Sequence, residues 1–155
     1  MPEVGEGDDV QAALDRLEPL VGAWRTRGSV RATGGQPVAA IDAIDTYERV
    51  PGGALLHLVD AHVGDLRVEG AELIGYVPER GRYATQYFGN DGPTGYEAEL
   101  GEADGRVTWT MRSERTRFTG TFNDDGTVIT GFWELLVDGS GWERWMDITL
   151  TKERR

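Results

Sequence analysis

With 155 residues, 39% hydrophobic and 28% charged, the chain is long enough for one domain with a real core and too short to divide comfortably into two. The formal net charge of -11, with no Lys/Arg cluster to offset it, repels phosphate backbones and anionic lipid, so neither nucleic acid nor a membrane surface is an expected partner. There is no cysteine, which excludes disulfides, thiolate metal sites and a cysteine nucleophile.

Residues 1–10 are acidic and carry neither a basic leader nor an apolar run, and no later segment has the length of a membrane span. The expectation is a cytoplasmic protein, disordered over residues 1–7 and folded as one β-barrel domain over residues 8–155. Val10, Ala13, Leu14 and Leu17 recur at helical spacing behind the cap residues Asp8 and Asp9, and Pro19 stops the pattern. Residues 22–33 then switch to period two, with Trp24, Thr26, Gly28 and Val30 on one face and Arg25, Arg27, Ser29 and Arg31 on the other. Gly34-Gly35 turns the chain into residues 38–50, and Pro51-Gly52-Gly53 turns it again into residues 54–63. Shorter runs follow at 66–70, 72–77, 83–88, 95–100 and 106–112. The last third spells three more, 116–122, 128–137 and 142–150, joined by Asp125-Gly126 and Asp138-Gly139. Asp-Gly between alternating runs signals a hairpin, because the tight turn needs positive φ and glycine supplies it. About ten antiparallel strands exceed what an open, twisted sheet usually carries and favour an all-β, closed up-and-down barrel with a short N-terminal helix.

The short helix followed by Gly22-Ala23-Trp24 resembles the opening of calycin barrels, the group that contains lipocalins and fatty-acid-binding proteins. The second half carries Tyr83-Ala84-Thr85-Gln86-Tyr87-Phe88, Arg117-Phe118-Thr119-Gly120-Thr121-Phe122, Asp124-Asp125-Gly126 and Gly131-Phe132-Trp133-Glu134, then Asp138-Gly139 and Trp142-Glu143. In that order these resemble an uncharacterised bacterial family of calycin-like barrels, a domain of unknown function, over approximately residues 17–152. The resemblance implies the barrel and brings no established activity with it. Nitrobindins share the Gly-x-Trp opening and hold haem through a histidine near the C-terminal end. The histidines here are His57 and His62, and Trp, Met and charged residues stand where that ligand would fall. Haem binding is therefore rejected, and no cofactor or metal is expected.

Five residues apart on one strand, His57 and His62 point to opposite faces and do not chelate one ion. His57 shares parity with Leu55, Val59 and Ala61 and is the inward one; it reads as a histidine hydrogen-bonded at the barrel wall, with a catalytic base as the alternative. Glu134 and Asp147 are carboxylates in apolar strands. Glu134 is either a buried acid of raised pKa or the outward member of its strand, paired with Arg144 or a neighbour. Arg117 is either a lumen cation for an amphipathic anion or a residue of the outer face. Trp109 alternates with Val107 and Met111, and Trp133 with Ile129, Gly131 and Leu135, so both face inward; Trp24 plugs the end beside the helix. With Tyr87 and the other aromatic residues they either fill the interior or line a ligand.

The reading is non-catalytic binding of a small apolar or amphipathic molecule in the lumen, with His57, Tyr87, Trp109, Arg117, Trp133 and Glu134 as its ligand-binding residues and no catalytic residue assigned. Two alternatives stand beside it. One is an enzyme using the same cavity for acid/base or cyclisation chemistry; the other is a packed barrel acting through a sheet face or edge, as in a homodimer.

Overall fold

The computed structural model describes residues 4–32 and 36–154; the Gly34-Gly35 turn and residues 1–3 of the N-terminal segment lie outside them. Helix α1 spans Val4–Asp15, beginning before the Asp8-Asp9 cap that the sequence suggests and within the segment it sets apart from the barrel. A 3-10 turn containing Pro19 follows at Glu18–Leu20. Ten strands complete the chain: β1 (Gly22–Arg31), β2 (Pro37–Arg49), β3 (Leu55–Val63), β4 (Leu66–Val77), β5 (Arg82–Gly89), β6 (Gly92–Ala103), β7 (Arg106–Arg112), β8 (Thr116–Phe122), β9 (Val128–Val137) and β10 (Gly141–Lys152). The runs at 66–70 and 72–77 are one strand, because Ala71 keeps the alternation going through Gly70.

Each strand pairs antiparallel with the next, and β1 closes the barrel against β10. Closure leaves no unpaired edge, which is how an all-β chain satisfies its backbone groups without a covering layer. The seam is tight: a Cβ on Gly28 would fall 1.8 Å from the carbonyl oxygen of Asp147, so only glycine lets β1 approach β10 there. The Asp-Gly turns behave as their chemistry requires. Asp104 and Gly105 both take positive φ, 53° and 78°, as a tight turn between β6 and β7 demands.

One end of the barrel is plugged. Ala13, Leu14, Leu17 and Leu20 pack onto Trp24, Leu55, Ile74 and Tyr83, and the helix stripe read from the sequence is the surface that does this. Trp24 is fully buried; its Nε1 donates to the Leu20 carbonyl at 2.9 Å, and Phe122 meets it edge-on at 6.4 Å. Tyr83 Oη donates to the Ala13 carbonyl at 2.6 Å, and Arg49 Nη1 donates at 2.8 Å to the Leu14 carbonyl, which also accepts from the Leu17 N–H, so barrel side chains tie down the C-terminal end of α1. Among the described residues no helix is long and apolar enough to cross a membrane.

Candidate functional site

Beyond the plug, the lumen holds a cavity of about 340 Å³. Strand alternation decides what lines it. On β2 the inward set is Ile41, Ala43, Asp45 and Tyr47; on β3 it is Leu55, His57, Val59, Ala61 and Val63; on β4 it includes Val68, Glu72 and Ile74. Leu55 and Ile74 belong to the plug, so the next inward positions, His57 and Glu72, stand on the cavity floor. Toward the open end the lining is aliphatic, with Ile41, Ala61, Val63 and Val68.

The floor is a closed polar cluster. His57 lies between two carboxylates, its Nε2 2.7 Å from Asp45 Oδ1 and its Nδ1 2.9 Å from Glu72 Oε1. Thr26 Oγ1 donates to Asp45 Oδ2 at 2.5 Å, and Thr85 Oγ1 donates to Glu72 Oε2 at 2.8 Å. Every carboxylate oxygen therefore has a partner, which is the condition for keeping two acids in an apolar barrel. Tyr47 stacks on His57 with ring centroids 4.1 Å apart and planes 8° from parallel. Burial by itself would lower the His57 pKa, but hydrogen bonds to Asp45 and Glu72 and the charges of both outweigh it and push the imidazole up to about 9. The Tyr47 phenol is held well above its ordinary range by burial, then by Asp45 and by Glu72.

The opposite wall, from β7 to β10, is aromatic and aliphatic. Trp109 is buried; Trp133 packs between Tyr96, 5.7 Å away, and Phe118, 5.1 Å away. Phe118 reaches this position across Gly120 and Gly131, where an added Cβ would lie 2.8 Å and 2.6 Å from its ring. Tyr87 does the same on the polar side, lying over Gly70 and Gly89. In β10 the register shifts between Arg144 and Met146, so Trp145 is an extra residue and both it and Met146 line the cavity.

His57, Tyr87, Trp109 and Trp133, four of the residues nominated from the sequence, thus meet on one cavity. Arg117 and Glu134 do not. They are direct cross-strand partners on the outer wall, with Nε to Oε1 at 2.7 Å, and the Arg117 guanidinium lies 4.3 Å from the Trp142 ring centroid. The reason is parity: Phe118 and Gly131 must face the lumen to pack on each other, which turns Arg117 and Glu134 outward. The lumen cation expected at Arg117 is corrected accordingly. Asp147 also faces outward, between Arg31 and Arg144, which hold its carboxyl below the usual range against the opposing effect of burial.

Asp45, Tyr47, Glu72 and Trp145 went unnominated. Asp45 shares parity with Ile41, Ala43 and Tyr47, a signal present in the sequence but set against the competing pair Ile44 and Thr46. Dividing β4 at Gly70 hid the inward parity of Val68, Glu72 and Ile74. Trp145 is inward only because of the bulge.

A scan against protein-family models gives no match, and a search of curated proteins gives none either. Among solved structures the chain is similar to Rv2717c from M. tuberculosis, with a TM-score of 0.71 at 13% identity over 94% of this chain and 99% of that one. It is also similar to the S-type phycobiliprotein lyase CPES from Guillardia theta, with a TM-score of 0.61 at 11% identity over 92% of this chain and 93% of that one. At these identities the likeness is one of fold, and what the chain shares with both is its architecture.

Proposed function

We propose that the protein binds one small, largely apolar molecule in the barrel lumen without transforming it. The observation that carries this reading is the cavity itself: about 340 Å³ between the aliphatic mouth, the wall of Trp109, Phe118, Trp133 and Trp145, and the polar floor. Small-molecule sites have this character, a mostly apolar concavity of roughly 300 to 1,000 Å³ with a few fixed polar groups. A packed interior acting only through its outer surface has no use for such a space. Acid/base catalysis is the weaker reading because both ring nitrogens of His57 are engaged by carboxylates, leaving none to exchange a proton with a substrate. One similar fold belongs to a phycobiliprotein lyase, but at 11% identity that likeness reaches no further than the barrel, so the proposal rests on the cavity.

The test is binding of a neutral apolar fluorophore, 1-aminoanthracene, followed by quenching of the tryptophans that line the lumen. Saturable one-to-one binding is expected, and Ala61→Phe, which puts a ring into the cavity from a buried inward position, should weaken it. Native mass spectrometry first establishes that the sample carries nothing. An empty, folded protein that binds no probe would return the packed-interior reading.

A further inference from the structure

The charge of the cavity floor follows from geometry alone. Each of the two contacts of His57, at 2.7 Å and 2.9 Å, needs one proton between nitrogen and oxygen. Two carboxylates with an imidazolium, or one carboxylate, one carboxylic acid and a neutral imidazole, hold the same two protons. Both arrangements leave the trio with one net negative charge. Thr26 and Thr85 solvate that charge without cancelling it, and no Lys or Arg is among the described residues lining the cavity. A net charge held away from bulk water is costly unless a counter-charge reaches it.

A second observation points into the same space. Tyr47 is only 8% exposed and lines the cavity, yet among the described residues its hydroxyl makes no hydrogen bond, and no fully enclosed polar atom of the described residues lacks a partner. The Tyr47 oxygen is therefore open to the cavity, beside the His57 ring on which it stacks. It offers a lone pair next to a negative cluster, and beyond Asp45 the inward residues of β2 and β3 toward the mouth are aliphatic: Ile41, Ala43, Val59, Ala61 and Val63.

We propose that the lumen selects a monocation with an apolar body, of the alkylammonium class, and takes it in head-first, the ammonium resting on Asp45, Glu72 and the Tyr47 hydroxyl. The proposal rests on the lumen being a binding site and adds which end of the ligand goes deepest and what charge it bears. An ammonium donates to free lone pairs of the two carboxylates and of Tyr47 while balancing the charge of the trio. A carboxylate head meets the opposite: like charge, with the Thr26 and Thr85 hydroxyls and both His57 nitrogens already committed to Asp45 and Glu72.

Calorimetric titration with octylamine, octanol and octanoate at neutral pH separates the cases, since the three share one tail and differ in head. Octylammonium is expected to bind at least about tenfold tighter than octanol, with octanoate weaker than both, the size of effect that one charge-assisted contact produces. Equal affinities, or octanoate as the tightest, overturn the head-group proposal and leave lumen binding standing; binding of none of the three overturns lumen binding and the proposal with it. In Asp45→Asn, which neutralises the trio, the preference for octylammonium over octanol should fall below about threefold. Tyr47→Phe removes one oxygen and keeps the stacked ring, so it serves if Asp45→Asn does not fold; it should weaken octylammonium more than it weakens octane-like probes that have no head. A Tyr47→Phe protein with unchanged octylammonium affinity removes Tyr47 from the head-group site and overturns the proposed contact.

Discussion

The His57 cluster makes the stability of the fold depend on pH in a way that is specific in sign and range. Unfolded, the imidazole takes its ordinary value of 6.5; folded, it is held up to about 9. A group whose folded pKa is raised binds its proton more tightly in the native state, so protonation favours folding. Below pH 6.5 both states are protonated and the contribution is fully present; it declines as pH rises between the two values and is gone above about 9. At about 1.4 kcal/mol per pKa unit, the total is roughly 3 kcal/mol, a large share of the stability of a small domain. Urea denaturation at pH about 6, 7.5 and 9 should show a fall of that order. The range stops below the ionisation of Tyr47, Tyr83, Tyr87 and Tyr96, all raised by burial from 10.0. His57→Gln should be less stable near neutrality, because Asp45 and Glu72 lose the group between them, and its stability should be flat across the same range. Equal stability of the parent at both ends, or an NMR titration placing the His57 ring at or below 6.5, would refute an imidazolium held between Asp45 and Glu72.

Three other outcomes are expected. Trp24→Ala should cost about 3 to 5 kcal/mol in chemical denaturation, and Trp24→Phe, which keeps most of the ring but loses the bond to the Leu20 carbonyl, about 1 to 3; a parent-like Trp24→Ala would mean the plug does not stabilise the barrel. Gly131→Ala places a methyl 2.6 Å from the Phe118 ring and should destabilise by about 1 to 3 kcal/mol while changing fluorophore binding, as Phe118 is forced to move against Trp133; normal stability and binding would show that Phe118 has room to yield. Arg117→Ala breaks a half-exposed outer pair with Glu134 and should change the thermal midpoint by the equivalent of about 1 kcal/mol or less, with lumen affinity intact; a selective loss of binding would return Arg117 to the lumen.

The barrel was legible in the chain because its determinants are local. Period-two alternation, Asp-Gly turns and a helix stripe of Val10, Ala13, Leu14 and Leu17 each act over a few residues, and together they specify ten antiparallel strands and a plug. The same local parity placed His57, Trp109 and Trp133 inward. The site was legible only in part, because its charge is assembled across strands. Asp45, His57 and Glu72 come from β2, β3 and β4, and Thr26 and Thr85 from β1 and β5; nothing short of the registers His57 with Glu72 and Tyr47 with His57 brings them together. Arg117 was ambiguous for a related reason: alternation names two faces and leaves unsaid which is wet, and that was decided when Phe118 settled over Gly120 and Gly131 and turned Arg117 toward Glu134. Local sequence thus determined the strands and their faces, whereas the inward side of β8 and the partners of each buried charge were decided only when the strands closed, since a buried charge and the groups that satisfy it lie far apart along the chain and close together in space.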